Sequence, residues 1–297
     1  MKILEKEPLK KHSYIRIGGE ARYFAVPETV EELTEAIEFA RNKKLPFYII
    51  GGGSNILFHD EGYQGVIINT SCLQNINING EIITVGAGVS LPELSVLLQK
   101  EGLSGMEELC EIPGTIGGAI AGNAGAFGRE ISELFVEGKI LDSKGNLVIL
   151  GKEDLKFSYR NSHLKKFGIL VEAKLKLTLS TPNRVAERMK EFKKLRREHQ
   201  PVGELSLGSV FRNPPGTSAG FLLDKAGFKG YTIGGAKFSE KHANFIVNFN
   251  NAKAEDVKAL IKEAKKKVFE LFGIDLECEI IILGPKQCFT EEEFYGV

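Results

Sequence analysis

The chain has 297 residues, and its 39 Lys and Arg are balanced by 39 Asp and Glu, so with His neutral its net charge is zero. That length suits about two domains of ~150 residues, with one or three also open, and a composition that is 42% hydrophobic and 26% charged is ordinary for a globular protein. No apolar run approaches the ~18 residues of a membrane span, the charged start MKILEKEPLKKHSY has no signal-peptide core, and neutrality argues against a general nucleic-acid or anionic-membrane binder, though not against a local phosphate site.

Residues 29–41 carry Val30, Leu33, Ile37 and Ala40 at helical spacing. Thr29 and Glu32 supply a capping box, and Leu45-Pro46 ends the segment. A short apolar strand, Phe47-Tyr48-Ile49-Ile50, then runs into Gly51-Gly52-Gly53-Ser54-Asn55, and another strand follows at Val66–Asn69. Together these form a compact α+β unit.

A second unit begins near Ile76, with a strand at Ile82–Val85 leading into Gly86-Ala87-Gly88. Ser90, Pro92 and Glu93 open a helix, Leu94, Leu97 and Leu98 form its apolar face, and Gly102 stops it. Past a long glycine-rich stretch, strands are expected at Lys139–Asp142, Leu147–Leu150 and Ile169–Leu179. Ser143-Lys144-Gly145-Asn146 has hairpin-turn chemistry.

Thr181-Pro182 marks a boundary. The helix after it sets Val185, Met189, Phe192 and Leu195 on one side and Lys190, Lys193, Lys194, Arg196 and Arg197 on the other. A basic run of this kind is ordinarily a solvated face. Strands around Gly208–Phe211 and Phe245–Asn248 precede the clearest helix in the chain, Ala254 to Phe272. Its inward face is Val257, Leu260, Ile261, Ala264, Val268, Leu271 and Phe272, with Gly273 as the stop. A last strand is expected at Glu277–Leu283.

Cys72, Cys110, Cys278 and Cys288 form no C-x-x-C pair and have no His at zinc-ligand spacing. They read as free thiols of a reducing cytoplasm, and no metal site is expected. The 33 glycines are concentrated in clusters. Gly51 to Asn55 can present several backbone N–H groups and two polar side chains to an anion, but a plain tight loop fits equally well. Neither a Rossmann nor a Walker pattern is present. In Ile112–Gly128 the density of small residues exceeds what helix–sheet packing needs, and it suits close approach to a flat or extended ligand. Arg160 falls on a turn, Ser209 follows Gly208 at a strand start, and Glu277 and Glu279 alternate so that both point to one face. Taken singly, each has an ordinary structural reading.

In this order the segments resemble the UDP-N-acetylenolpyruvoylglucosamine reductases, flavin enzymes of peptidoglycan precursor synthesis. The matching stretches are Ile17-Gly18-Gly19, Gly51 to Asn55, Gly86-Ala87-Gly88, Ile112 to Gly118, Asn123 to Gly128 and Tyr159-Arg160-Asn161-Ser162. They continue with Gly208 to Pro214, Ile233 to Ala236, Ser239 to Phe245 and Glu277 to Ile280. The glycine stretches indicate the wider flavin fold; the Tyr-Arg, Gly-Ser-Val-Phe and late Glu segments are specific to the reductase. The short connection from Arg160 to Ser209 resembles the type II branch, which lacks a tyrosine-bearing loop. Glu111 stands where many relatives have Gly, Arg212 replaces a common Lys, and residues 284–297 extend past the usual end.

The resemblance implies an α+β chain: a two-part FAD-binding region of the vanillyl-alcohol-oxidase/PCMH flavin fold, and a C-terminal α+β substrate-binding domain. The implied divisions are 1–75, 76–182 and 183–297. Non-covalent FAD would be held by Gly51, Gly52, Gly53, Ser54, Asn55, Gly88, Pro113, Gly114, Thr115, Gly117, Gly118, Asn123, Ala124 and Gly125. Hydride would pass from NADPH, as co-substrate, through FAD to the enolpyruvyl ether of UDP-N-acetylglucosamine. By the same matching, Arg160 and Glu279 would stabilise the enolate, Ser209 would donate the proton, and Tyr159, Asn213, Lys229 and His242 would touch the substrate. The implied partner is that small molecule, with no nucleic acid or membrane, in the cytoplasm. Two rivals are another flavin enzyme of this fold, in which flavin is often attached through His or Cys, and a non-catalytic nucleotide-sugar-binding module, which would need neither Ser209 nor Glu279.

Overall fold

The computed structural model describes residues 1–285 and Gln287; Cys288 and the end of the chain lie outside the described residues. The first sheet has the strand order Lys2–Pro8, Glu20–Val26, Tyr63–Asn69, Phe47–Ile50. Its outer pair is antiparallel and the other two joins are parallel. The helix Val30–Asn42 buries Leu33, Ala36, Ile37 and Ala40. Thr29 Oγ1 accepts the Glu32 N–H at 3.2 Å, while the Glu32 carboxylate reaches back to the N–H of Glu28, one residue beyond the cap.

A five-stranded antiparallel sheet follows, in the order Leu147–Gly151, Phe135–Leu141, Ile169–Lys176, Ile82–Gly86, Ile76–Asn79. The helices Leu91–Lys100 and Ile116–Ala121 pack on it through Leu94, Leu98, Ile116 and Ile120. The expected hairpin closes where Asp142 Oδ1 accepts the N–H groups of Lys144 and Asn146, both at 2.8 Å.

The third sheet runs Ser206–Ser209, Phe245–Asn248, Ala236–Phe238, Thr232–Ile233. It shares a core with the helix Ala254–Phe272, which buries Val257, Leu260, Ile261, Ala264 and Val268. Leu271 and Phe272 do not join that core: they are 50% and 39% exposed. The expected strand at 277–283 is shorter too, covering only Ile281–Leu283. That strand leaves the third region and pairs in parallel with Ile56–Phe58 of the first. Residues 277–280 make the crossing as an irregular segment tied to the third region by one bridge, Phe211 to Cys278.

The helix Pro182–His199 lies across the second region rather than standing in solvent. Val185 and Met189 pack with Cys110, and Arg188 Nη2 sits 2.7 Å from Glu108 Oε1. At its far end the Arg197 carbonyl accepts from Lys241 Nζ at 2.7 Å, so the helix joins the second and third regions. Among the described residues, no helix is long and apolar enough to cross a membrane.

Candidate active site

Two glycine loops from different sheets meet in close contact. A Cβ on Gly51 would lie 2.2 Å from Thr115 Oγ1, and one on Gly52 would lie 3.1 Å from the Gly114 Cα. Gly53 has φ +66° and turns against the His12 carbonyl, which a Cβ would meet at 1.8 Å. The tight-loop reading therefore accounts for these three glycines in part. Gly88 packs on the Thr70 carbonyl and Gly117 on Ala87 in the same way.

The ligand reading has its own support. Among the described residues, the N–H groups of Gly52, Gly53, Ser54 and Asn55 donate no backbone hydrogen bond. Gly118 is exposed, with only Thr115 Oγ1 near the place of its missing Cβ, at 3.7 Å. Thr115 Oγ1 also caps the Ile116–Ala121 helix through the Gly118 N–H at 3.5 Å. Unpaired N–H groups beside a surface stripped of side chains form a cradle for an anionic cofactor, and this fits a flavin dinucleotide.

Asn123 is fully buried, with a left-handed φ of 42°. Its amide donates to Glu130 Oε2 at 2.8 Å and to the Ser158 carbonyl at 3.0 Å, while Oδ1 accepts the Ser132 N–H at 3.3 Å. These bonds commit the side chain to the scaffold beneath Arg160. Ser158 and Asn161 exchange N–H···O bonds of 3.0 and 3.1 Å, and Arg160 occupies the turn between them with φ +54°. Gly125 leaves room beside the guanidinium, since a Cβ there would sit 3.4 Å from Nη1. Ala124 holds the hairpin base through its N–H to the Ala119 carbonyl at 2.8 Å.

Arg160 Nε lies 2.8 Å from Glu279 Oε1. The Glu279 side chain is only 19% exposed, and burial raises its pKa against the opposing pull of Arg160 and Arg212. The backbone holding it is fixed from two sides. Its N–H donates to the Val210 carbonyl at 2.8 Å, and its carbonyl accepts from Asn55 Nδ2 at 3.1 Å. The Phe211–Cys278 bridge aligns the Ser209–Arg212 segment with this stretch. Ser209 closes the strand Ser206–Ser209 just after Gly208, whose φ is +77°. Arg160, Ser209 and Glu279 thus come from three distant parts of the sequence to adjoining segments.

Tyr159 and Asn213 join the same rim: the Tyr159 hydroxyl accepts the Asn213 N–H at 3.4 Å, and Asn213 Oδ1 accepts the Ala219 N–H at 3.1 Å. Further along the third region, His242 Nδ1 accepts the Asn244 N–H at 3.1 Å. Burial lowers the His242 pKa, opposed by a backbone hydrogen bond and reinforced by Lys229 and His199. Lys229 itself pairs with Asp224 at 2.8 Å.

Sequence reading gave no role to Asn244, which is 2% exposed and clamps Phe211 through N–H···Oδ1 (2.9 Å) and Nδ2–H···O (2.8 Å) bonds. It lies inside the quoted Ser239–Phe245 stretch, but nothing local shows that it acts as an extra strand edge. The two late glutamates also diverge. Glu277 is 76% exposed, 3.7 Å from Arg212, so the solvated reading holds for it and fails for Glu279.

The model of the UDP-N-acetylenolpyruvoylglucosamine reductase C-terminal domain matches residues 200–283, and an FAD-binding domain model matches residues 21–151. The reductase of that name from Caldicellulosiruptor bescii is 42% identical over 287 residues, covering 96% of this chain and 91% of its own. The one from Bacillus subtilis is 41% identical over 286 residues, covering 95% and 94%. A crystal structure of the UDP-N-acetylenolpyruvylglucosamine reductase from Thermus caldophilus matches with a TM-score of 0.82 at 35% identity, over 95% of this chain and 98% of that one.

Proposed function

The chain belongs to the UDP-N-acetylenolpyruvoylglucosamine reductase family, and on that premise we propose how its own residues carry out the reaction. It is an FAD-dependent oxidoreductase that reduces the enolpyruvyl ether of UDP-N-acetylglucosamine. When bound, the flavin supplies two-electron hydride chemistry, with NADPH as the donor in our reading.

The substrate alkene gains a hydride at its terminal carbon and a proton at the adjacent one. Charge builds up on that adjacent carbon and its carboxylate before the proton arrives. Arg160, always cationic, stabilises it. Glu279 acts beside Arg160 in its protonated form, which the burial-raised pKa favours. The Ser209 hydroxyl gives up the proton; serine is a weak acid, but an enolate-like carbon is a strong base. Tyr159, Asn213, Lys229 and His242 bind the nucleotide-sugar. The N–H groups of Gly52 to Asn55 and the open face of Pro113 to Gly118 hold the cofactor diphosphate, with Gly51, Gly88, Asn123, Ala124 and Gly125 shaping the surrounding backbone.

The observation that carries this assignment is the 2.8 Å Arg160–Glu279 pair on a segment bonded to Val210 and Arg212, directly after Ser209. We read 1–75 and 76–182 as the two parts of the FAD-binding region and 183–297 as the substrate domain. We place the enzyme in the cytoplasm, with its unpaired Cys72, Cys110 and Cys278 suited to a reducing compartment. Anaerobic NADPH oxidation tests the whole reading. Oxidation beyond one flavin equivalent only when UDP-N-acetylglucosamine enolpyruvate is present supports it. Flavin that stays reduced in the presence of that substrate rejects it.

A further inference from the structure

The helix Ala254–Phe272 begins without a cap of its own. Lys253 holds the N-cap position, and a lysine side chain has no atom that accepts the first N–H groups. The acceptor comes from the first region instead. Asp60 Oδ1 accepts the Ala254 N–H at 2.8 Å, and Oδ2 accepts the Glu255 N–H at 3.1 Å, across 194 and 195 positions of sequence. Beside it, His59 Nε2 lies 3.3 Å from Glu255 Oε1. The Asp60 carboxylate also faces the positive pole of a 19-residue helix.

Capping alone does not call for an acid from another region, because Ser, Thr, Asn or Asp at position 253 supplies a cap locally. What the borrowed cap adds is location. Asp60 stands just past the strand Ile56–Phe58, which leaves the Gly51–Asn55 loop. The turn that carries it is held by the His59 carbonyl, which accepts the N–H groups of Gly19 at 3.0 Å and Gly62 at 2.9 Å. On the other side, Val257, Leu260 and Ile261 of the helix share one core with Val210 and Ile280. Val210 follows Ser209, and Ile280 follows Glu279. A continuous path of contacts therefore runs from the cofactor loop through Asp60 and the helix to the backbone of both reacting side chains. Pairing of Ile281–Leu283 with Ile56–Phe58 is one tie between the two regions. A body held along a single strand pair can still tilt about it, and a second tie at the helix start removes that freedom.

We propose that Asp60 is a positioning residue for the reaction: by capping a helix of the third region from the first, it sets Ser209 and Glu279 over the flavin. The inference rests on the reductase reading above. Its leverage is geometric, since a misplacement of about 1 Å far from the chemistry can cost on the order of 100-fold in rate.

The test separates the cap from the tie. Asp60→Ala removes both, and adding Lys253→Ser to it gives the helix a local cap without the link to the first region. Each holoprotein is followed by stopped flow in two half-reactions, flavin reduction by NADPH and reoxidation by UDP-N-acetylglucosamine enolpyruvate at saturation, and by thermal melts. In Asp60→Ala, reoxidation should slow by about tenfold or more, while flavin reduction stays within about threefold of parent. Asp60→Asn keeps one acceptor oxygen and should recover most of the reoxidation rate. In the double variant the melting temperature should recover and reoxidation should stay slow. Recovery of rate together with melting temperature overturns the inference, because Asp60 is then a cap and nothing more. Reoxidation within threefold of parent in Asp60→Ala, or equal slowing of both half-reactions, overturns it too. A parent enzyme whose flavin the substrate does not reoxidise fails the reductase reading instead. If Asp60→Ala does not fold, the double variant carries the test with the same criterion: slow reoxidation beside normal flavin reduction supports the tie, and any other pattern rejects it.

Discussion

The side-chain amide of Asn55 donates to the backbone carbonyl of Glu279 at 3.1 Å, joining residues 224 positions apart. The join is doubled, since the Ile281 N–H donates to the Asn55 carbonyl at 2.9 Å. The glycine loop assigned to the cofactor and the acid assigned to the reaction therefore share one rigid connection. Parallel pairing of Ile281–Leu283 with Ile56–Phe58 anchors it. The strand Ile281–Leu283 returns to the first region through its own two-stranded pairing, and that return sets where Glu279 stands.

Ser209→Ala removes the hydroxyl proton and nothing that NADPH needs. Flavin reduction by NADPH should stay within about threefold of parent, while reoxidation by the enolpyruvyl substrate falls by ~100-fold or more. Stopped-flow measurement of the two half-reactions separates them, and equal slowing of both rejects the role.

Glu279 has a pKa raised from 4.5 by burial. The folded state therefore holds this proton more tightly than the unfolded chain. Its contribution to stability is fully present below pH 4.5 and is lost as pH rises through the folded value. Glu279→Gln should flatten that part of the stability profile in urea melts. It should also retain more activity than Glu279→Ala, because it keeps a neutral hydrogen-bonding group beside Arg160. Equal loss in the two variants argues against the protonated form.

Gly53 and Gly80 both have positive φ, +66° and +59°, but only Gly53 has backbone where a Cβ would sit. Gly80→Ala should cost ~1 kcal/mol, the strain of a left-handed alanine. Gly53→Ala should cost at least ~3 kcal/mol and weaken FAD retention, because the His12–Ser13 backbone must move. Thermal melts of the two apoproteins check the difference.

His242 has its pKa lowered from 6.5, chiefly by burial, with Lys229 and His199 adding to the effect. Its contribution to stability is full above pH 6.5 and is lost as pH falls through the lowered value, where the folded ring must take up a proton. His242→Gln should lose the Asn244 bond at every pH, about 1 kcal/mol, and should show a shallower acid slope. Urea melts between pH 5 and 8 read both effects, and an unchanged slope rejects the assignment.

Much was legible in the chain itself. Apolar spacing located the helix Ala254–Phe272 with its bounds as found, and the helix Val30–Asn42 within a residue. The order of the glycine, Tyr-Arg, Gly-Ser-Val-Phe and late Glu segments identified the family, and with it Arg160, Ser209 and Glu279 as candidates. Those are local patterns, and a local pattern can be read where it lies.

What the sequence did not reveal depends on a second element arriving from elsewhere. Glu277 and Glu279 alternate alike, yet one is 76% exposed and the other 19%, because only Glu279 meets the Arg160 turn. Arg196 and Arg197 stand side by side in one basic run, yet only Arg196 is turned into the protein. Leu271 and Phe272 continue an apolar stripe yet stay 50% and 39% exposed. Periodicity states which face of an element could be buried; whether a given side chain loses its water is decided by the tertiary contact that covers it, since desolvation is a property of the pair and not of the residue.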